Sequence, residues 1–401
     1  MSLNLSYMGT KRHLADHVAR LAADCRSGPL LDLFSGMCAI GRAVAPSRPI
    51  WSNDLQYFAC QVAKAQFEAG PEKINVDRLG ELVAPLAEAN RSACYAAFAK
   101  NLNIEEVAGS ISDVDAAEGL YLEGLSRAQE SDRYHQCLPA YSLFAARYAG
   151  SYLGYAQAIE VDSIRYGLDN LLFDERINDD HHRAALVALG AAISRVSTTT
   201  GHFAQPLKPK KTNATKHFSQ RRRSIRSEWL KALSELNPSG SFRWRSKNKT
   251  FQADALNLLD DLRSEKQKPS VVYADPPYTK DQYSRFYHLL ETAILYDFPL
   301  CSGTGLYRSD RASSAFSQQS KVEESIDRMI ASTKKLGADL ILSYPEDGLL
   351  HSSTKVIPRI IHEHYKKEPD IIRVDHNHST MGASKGAHKH QVREILYKVS
   401  A

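Results

Sequence analysis

Short apolar runs of strand character stand at both ends of this 401-residue chain and are missing from its middle. Residues 30–34 and 49–52 lie near the start; 271–274, 338–343, 371–374 and 392–399 lie after residue 250. Helical spacing accompanies them, in Leu14, Val18 and Leu21, in 39–44 and 57–67, and again over 282–297 and 322–336. Gly28-Pro29 breaks the chain ahead of the first strand. Alternation of this kind is the signature of a parallel sheet with crossover helices. A sheet begun before residue 75 and completed after residue 250 means that one domain interrupts another. The expected architecture is α/β: a Rossmann-like sheet domain over 1–75 and 250–401, with a mainly helical domain inserted over 76–249.

The interrupting stretch is rich in Ala and Tyr. Tyr141, Phe144, Tyr148, Tyr152 and Tyr155 recur at steps of three and four, which reads as a helix packing an aromatic stripe into a core rather than as a platform for stacking bases. Residues 197–220 are polar and read as loop. They open a segment in which charge is concentrated: between Gln205 and Lys249 stand thirteen basic residues and two acidic ones, a local +11 in a chain whose net charge is +5. The remainder is near −6, so the mild total conceals a segment suited to a polyanion. Arg221, Arg222 and Arg223, with Trp229 and Trp244 nearby, are candidates for phosphate contact, together with Lys208, Lys210, Lys211 and Arg226.

Composition excludes several classes. With 24% charged and 43% hydrophobic residues the chain is neither disordered, collagen-like nor coiled-coil. No run approaches the roughly 18 apolar residues of a membrane span, and the first residues lack the apolar stretch of a signal peptide. The expectation is a soluble protein of the cytoplasm, associated with the nucleoid, with no membrane partner. Six scattered cysteines form no C-x-x-C pair and no zinc spacing, so they read as reduced thiols with no metal site. None follows a proline, which sets aside the Pro-Cys nucleophile of cytosine-C5 methylation.

Two segments carry chemistry. LLDLFSGMCAIG, 30–41, runs a buried strand into a glycine turn, where a ligand can approach the backbone and meet helix N–H groups. Only Gly36 and Gly41 are present, so the three-glycine dinucleotide fingerprint is not met and a nicotinamide cofactor is disfavoured. Asn53-Asp54 closes the next strand, where a carboxylate can take both hydroxyls of a ribose. VVYADPPYTKDQY, 271–283, ends an apolar strand in two prolines that withdraw two donors and stiffen the chain. A fixed Asp275 carboxylate and an exposed proline carbonyl can there accept both hydrogens of an exocyclic amine, while Tyr278 stacks on a flat heterocycle.

These residues resemble the D12-class, Dam-like adenine-N6 DNA methyltransferases. YMGTK (Tyr7, Gly9, Lys11) is similar to the family's N-terminal Y-x-G-x-K element, DLFSG (Asp32, Phe34, Ser35, Gly36) to its cofactor loop, Asp54 to its ribose-binding acid, and FQADALNLL to the segment that places Asp254 against the cofactor's adenine amine. ADPPY matches the catalytic motif of Asp275, Pro276, Pro277 and Tyr278, with Asp275 also bordering the cofactor. The motif order, with a large insertion before FQAD and DPPY, is that of the class whose target-recognition region lies there. The family's loop commonly reads F-x-G-x-G, and Cys38 stands here at the second glycine.

The resemblance implies a Rossmann-like S-adenosylmethionine-dependent methyltransferase sheet. The implied reaction is methyl transfer to a flipped-out adenine at a specific sequence in double-stranded DNA, in restriction-modification or phage defence, with a cognate restriction endonuclease or defence-system proteins as partners. Two alternatives stand beside it: an RNA adenine-N6 methyltransferase, because RNA also attracts the basic segment, and a catalytically silent nucleic-acid-binding protein of the same fold. Asp at the head of the motif resembles adenine-N6 enzymes, where Ser is more usual for cytosine-N4.

Other features read more plainly. Asp375-His376-Asn377-His378 resembles an HNH fragment, with His388 and His390 beyond, and reads as a polar loop before the last strand. His362 and His364, two apart on a strand, read as surface histidines. Arg308 and Arg311 lie in a Gly- and Ser-rich loop, 301–320, that is either a lid or DNA contact or a plain connector.

Overall fold

The computed structural model describes residues 11, 13–68, 70, 74–129, 137–378 and 390–401, the side chains of 376–378 and 390–392 excepted. Among these residues nine strands are found: β1 Leu30–Asp32, β2 Ile50–Asp54, β3 Lys249–Gln252, β4 Val271–Ala274, β5 Cys301–Ser302, β6 Tyr307–Arg308, β7 Asp339–Pro345, β8 Asp370–His378 and β9 His390–Val399. Seven form one sheet in the order β3-β2-β1-β4-β7-β9-β8. The first five positions are parallel, and β9 pairs antiparallel with both β7 and β8. The fold is a Rossmann-like α/β sheet, as expected from the strand runs.

The chain separates into two compact units. The sheet unit holds the described residues within 8–70, 238–284 and 312–401. Across its centre Trp51, Leu31, Val272 and Leu340 stand in register, all fully buried. They share one hydrophobic core with Leu256 and Leu259 of the helix Ala255–Asp261, Ile326, Met329 and Ile330 of the helix Val322–Leu336, and Ile357 and Ile361 of the helix Ser353–Tyr365. The helix Val322–Leu336 shows why such segments form. Its apolar residues fall every three or four positions, Glu323 and Glu324 open it, Lys334 and Lys335 close it, and Gly337 ends it at φ 73.

The helical unit holds the described residues within 71–237 and 285–311. Its longest helices are Val76–Ala97, Tyr155–Phe173 and Asp179–Val196, and β5 and β6 form a small hairpin within it. Phe144, Tyr148, Tyr152 and Tyr155 are fully buried, so the aromatic residues do pack into a core. They do not lie on one helix. The chain turns between the helices Leu143–Arg147 and Tyr155–Phe173, through Gly150 at φ 79, where any Cβ would collide with Leu120 O. Carboxylates from elsewhere cap these helices: Asp162 accepts from Phe144 N and Ala145 N at 2.8 Å, and Glu105 from Tyr155 N and Ala156 N at 3.0 Å.

Several expectations are corrected. Residues 197–220 are not loop throughout, since they contain a 3-10 turn at Lys211–Asn213 and the helix Ala214–Arg221. That helix is polar on most sides, which is why periodicity missed it, and Gln157 Nε2 holds its end by donating to Gln220 O and Arg223 O at 2.8 Å. Residues 375–378 are not a loop but the end of β8, paired with β9; His388 lies outside the described residues. His362 and His364 sit on the helix Ser353–Tyr365, not a strand, and diverge to separate partners, Glu368 Oε1 at 2.8 Å and Asp327 Oδ1 at 2.9 Å.

The division of the chain also differs in detail from the 76–249 insertion. Residues 238–249 pack with the sheet unit because Asn248 accepts from Ile50 N at 2.9 Å and donates to Phe67 O at 2.6 Å. Residues 285–311 pack with the helical unit, where Arg165 Nη1 donates to Ala293 O and Ile294 O and Tyr152 Oη to Gly305 O.

Candidate active site

In the sheet unit, chain order reverses beside β1: the strands run outward to β2 and β3 on one side and to β4 and β7 on the other. In open α/β sheets the crevice at such a reversal, beyond the carboxyl ends of the strands, is where ligands bind. Asp32 ends β1, Asp54 ends β2, and Asp275 follows β4 directly.

The loop after β1 is tied to the end of β2 by two successive N–H groups. Ser35 N donates to Asn53 O at 2.8 Å and Gly36 N to Asp54 Oδ2 at 3.0 Å. Asn53 Nδ2 donates to Leu33 O and Ala253 O, locking the ends of three strands together. Gly36 has φ 46 and Cys38 φ 61, so the turn is left-handed at both positions. Phe34 meets the Phe316 ring edge-on at 5.3 Å. Gly41 is required for another reason: a Cβ there would stand 2.8 Å from the Phe67 ring.

Burial sets the electrostatics. Asp32 is 2% exposed, and burial, with Asp275 and Asp54 close by, pushes its carboxyl up to about 8, against one N–H from Gly41. Burial also raises Asp54, opposed by the N–H groups of Gln56, Gly36 and Leu55. Asp275 rises to about 7, through burial and the nearby Glu394, and Lys11 opposes the rise. Asp32 Oδ1, Ser35 Oγ and Asp275 Oδ1 are buried without a hydrogen-bond partner. Buried polar atoms are normally satisfied, so three such atoms at one crevice fit a polar ligand.

Among the described residues Lys11 is the cation of this site. Its Nζ lies 3.2 Å from Asp275 Oδ1, pairs with Glu394, and stands 4.7 Å from the centre of the Tyr278 ring. Burial disfavours its charge, but the two carboxylates outweigh burial and keep it protonated. Tyr278 is hydrogen-bonded to Tyr283, and its carbonyl accepts from Leu349 N at 2.8 Å. Pro276 is buried and Pro277 partly so, which fixes the chain between Asp275 and Tyr278. Asp254 caps the helix Ala255–Asp261, both cap bonds going to Oδ1.

The structure therefore gathers Lys11, Asp32, Ser35, Gly36, Asp54 and the 275–278 segment at the ends of β1, β2 and β4, with Asp254 just beyond β3. Tyr7 and Gly9 lie outside the described residues. Sequence reasoning missed Glu394, Tyr283 and His13. A charged residue inside the apolar strand 392–399 was the available signal for Glu394, since a carboxylate is buried only where something holds it.

The basic residues of the helical unit divide. Lys210, Lys211, Arg222 and Arg226 are exposed. Lys208 pairs with Glu118 at 2.6 Å. Arg221 donates to Ser151 O at 2.8 Å, and Arg223 to Arg195 O and Glu228 at 2.6 Å, so both guanidinium groups serve the fold. Trp229 and Trp244 are likewise structural, donating to Ala185 O and Arg48 O. Arg308 is buried in a bidentate pair with Asp297, which makes it a connector's anchor and not a phosphate ligand.

Comparison with known proteins supplies independent findings. The family described as D12 class N6 adenine-specific DNA methyltransferase matches residues 7–160 and 210–347. The chain is 25% identical over 353 residues to "Type II methyltransferase M.FokI" of Planomicrobium okeanokoites, covering 86% of this chain and 45% of that protein. It is 24% identical over 350 residues to "Modification methylase StsI" of Streptococcus sanguinis, covering 86% and 44%. Similarity to "Type II methyltransferase M.NlaIII" of Neisseria lactamica is 23% over 356 residues, covering 86% and 85%. The chain thus spans less than half the length of the first two relatives and most of the third.

Proposed function

The chain belongs to the D12 class of N6 adenine-specific DNA methyltransferases, and from that premise we propose that it methylates adenine N6 at a specific sequence of double-stranded DNA, using S-adenosylmethionine, as the modification enzyme of a restriction-modification or phage-defence system. The observation that carries this reading is the set of buried polar atoms that make no hydrogen bond within the protein, Asp32 Oδ1, Ser35 Oγ and Asp275 Oδ1, the last facing Lys11 Nζ at 3.2 Å, at the ends of β1 and β4.

The cofactor supplies a methyl group on a sulfonium, a leaving group that calls for no protein nucleophile. The left-handed turn at Gly36 would let it approach the backbone, Asp32 and Asp54 would take its polar edge, Lys11 would border it, and Asp254 would hold its adenine amine. For the target base, the problem is an amine whose lone pair is delocalised into the ring. Asp275 and the Pro276 carbonyl accept the two N6 hydrogens, which holds the nitrogen in line and favours positive charge as the N–C bond forms. Tyr278 stacks on the base. Because N6 within a duplex is out of reach, the base is flipped out at a cost of a few kcal/mol. In this reading the sheet unit carries catalysis and the helical unit target recognition, with Lys210, Lys211, Arg222 and Arg226 contacting phosphates.

The test is to incubate the protein with labelled S-adenosylmethionine and either genomic DNA or total RNA. N6-methyladenine in DNA is expected, and Asp275→Ala should lower the rate at least about 100-fold. Label in RNA alone, or recovery of N4-methylcytosine, overturns the assignment.

A further inference from the structure

Glu394 is a 2%-exposed carboxylate on β9, opposite Pro345 of β7 and Val374 of β8. The family reading gives it no task. Its surroundings do. Oε1 receives Lys11 Nζ and the Ser343 hydroxyl at 3.2 Å, and Oε2 stands 3.3 Å from His13 Nε2. Held by these groups, Glu394 stays ionised: burial would raise its carboxyl, but His13 and Lys11 outweigh burial and hold it at about 2.

One buried ammonium thus lies between the buried Glu394 and the part-buried Asp275, and its contacts with them are unequal. Lys11 makes its hydrogen bond to Glu394, whereas its 3.2 Å approach to Asp275 leaves Oδ1 without a directed donor. With Asp275 as its sole anionic partner, the ammonium would turn onto that carboxylate and occupy the acceptor the target amine needs. We propose that Glu394 is a positioning residue for methyl transfer, holding the Lys11 ammonium beside Asp275 while leaving the Asp275 oxygens open to the substrate amine. The inference rests on the role given to Asp275 under the proposed function.

The groups facing Asp275 fix the sign of a pH test. Lys11 is its cation, and Glu394 and Asp32 are its neighbouring acids. Tyr278 and Tyr283 from its own segment, and Tyr273 of β4, are the other titratable groups facing it among the described residues. Glu394 itself faces Lys11, His13 and Ser343. Removing the Glu394 charge eases ionisation of Asp275, so the acid limb of the rate profile, which reports loss of that proton, moves to lower pH. At the same time Lys11 competes for the acceptor, so the plateau rate falls.

Single-turnover methyl transfer at saturating cofactor and DNA, measured from pH 5.5 to 9, tests this. In Glu394→Gln the acid limb should move down by about 0.5–1 pH unit and the plateau fall about 10-fold, with cofactor and DNA affinities changed less than about 2-fold. A folded variant whose limb stays put, or moves up, overturns the proposal. A loss of affinity alone does so too. Lys11→Met with and without Glu394→Gln gives a second measurement, and the double variant leaves no lysine charge for Glu394 to hold. It should be no slower than Lys11→Met alone, and a further loss would show that Glu394 does not act through Lys11. Asp275→Ala, run in parallel, separates the two readings: if it remains active the proposed function fails, and if it is inactive while Glu394→Gln is unchanged only the positioning role fails.

Discussion

Asp32 and Asp54 end neighbouring strands, yet their oxygens are spent differently. Both oxygens of Asp54 accept backbone N–H groups, from Gly36 and Gln56, whereas Asp32 keeps one oxygen without a donor. Asp32 is thus a cost in the unliganded protein. Its carboxyl, raised to about 8 in the fold, contributes stability below the ordinary carboxylate pKa near 4, and that contribution is lost as pH rises through 8. Asp32→Asn removes the charge and keeps the shape. Its thermal midpoint should therefore match wild type near pH 4, exceed it by about 2–4 °C at pH 8, and plateau above that, while S-adenosylmethionine affinity falls. Scanning calorimetry with and without cofactor checks both halves, and an advantage that shrinks with rising pH would contradict the assignment. Cys38 is a second local compromise: at φ 61 it follows the left-handed path that a glycine would take, at a cost of about 1–2 kcal/mol. The loop therefore keeps its course despite the departure from F-x-G-x-G.

At the scale of elements, the helix Ala39–Val44 is pressed against Phe67 and Ile50 at Gly41. Gly41→Ala would gain helix propensity on an open surface, but here the methyl group meets an aromatic ring that is 1% exposed. The expected result is destabilisation by about 1–3 kcal/mol in urea unfolding, and a neutral or stabilising effect would show that the ring yields. Elements buried on both sides were legible in the sequence: β1 and β4 are unbroken apolar runs, and each ends in its acid. β3 was not, because Lys249–Gln252 is an edge strand with exposed and half-exposed residues and no apolar signature. The helix Ser353–Tyr365 carries Pro358 in its interior, which argues against a helix wherever tertiary packing does not override it. Within the site, strand-end carboxylates announced themselves, whereas the Lys11–Glu394 pair joins residues 383 apart and no local pattern links them.

For the whole molecule, the +11 segment is only partly available to a polyanion. Arg221 and Arg223 are committed to backbone carbonyls, and Lys208 and Arg223 to acidic partners, so charge counted along the sequence overstates the binding charge. Replacing Lys210, Lys211, Arg222 and Arg226 together by Ala should reduce the slope of log affinity against log salt by about 3–4, with little change in unfolding midpoint. Fluorescence anisotropy over a salt series measures it, and an unchanged slope would remove these residues from the interface. Arg221→Ala belongs to the opposite class and should lower stability instead, because it releases Gly150 O and Ser151 O. The interleaving of the two units also bears on how the protein is made. Ile50 is held by Asn248, 198 residues later, and residues 285–311 return to the helical unit after the sheet has resumed. A chain leaving the ribosome therefore pairs β1 with β2 long before β3 and β4 exist to flank them, while the helical unit is complete once residue 311 has been made. Vectorial synthesis thus imposes an order on assembly: the helical unit can close while β7, β8 and β9 of the sheet are still to be made.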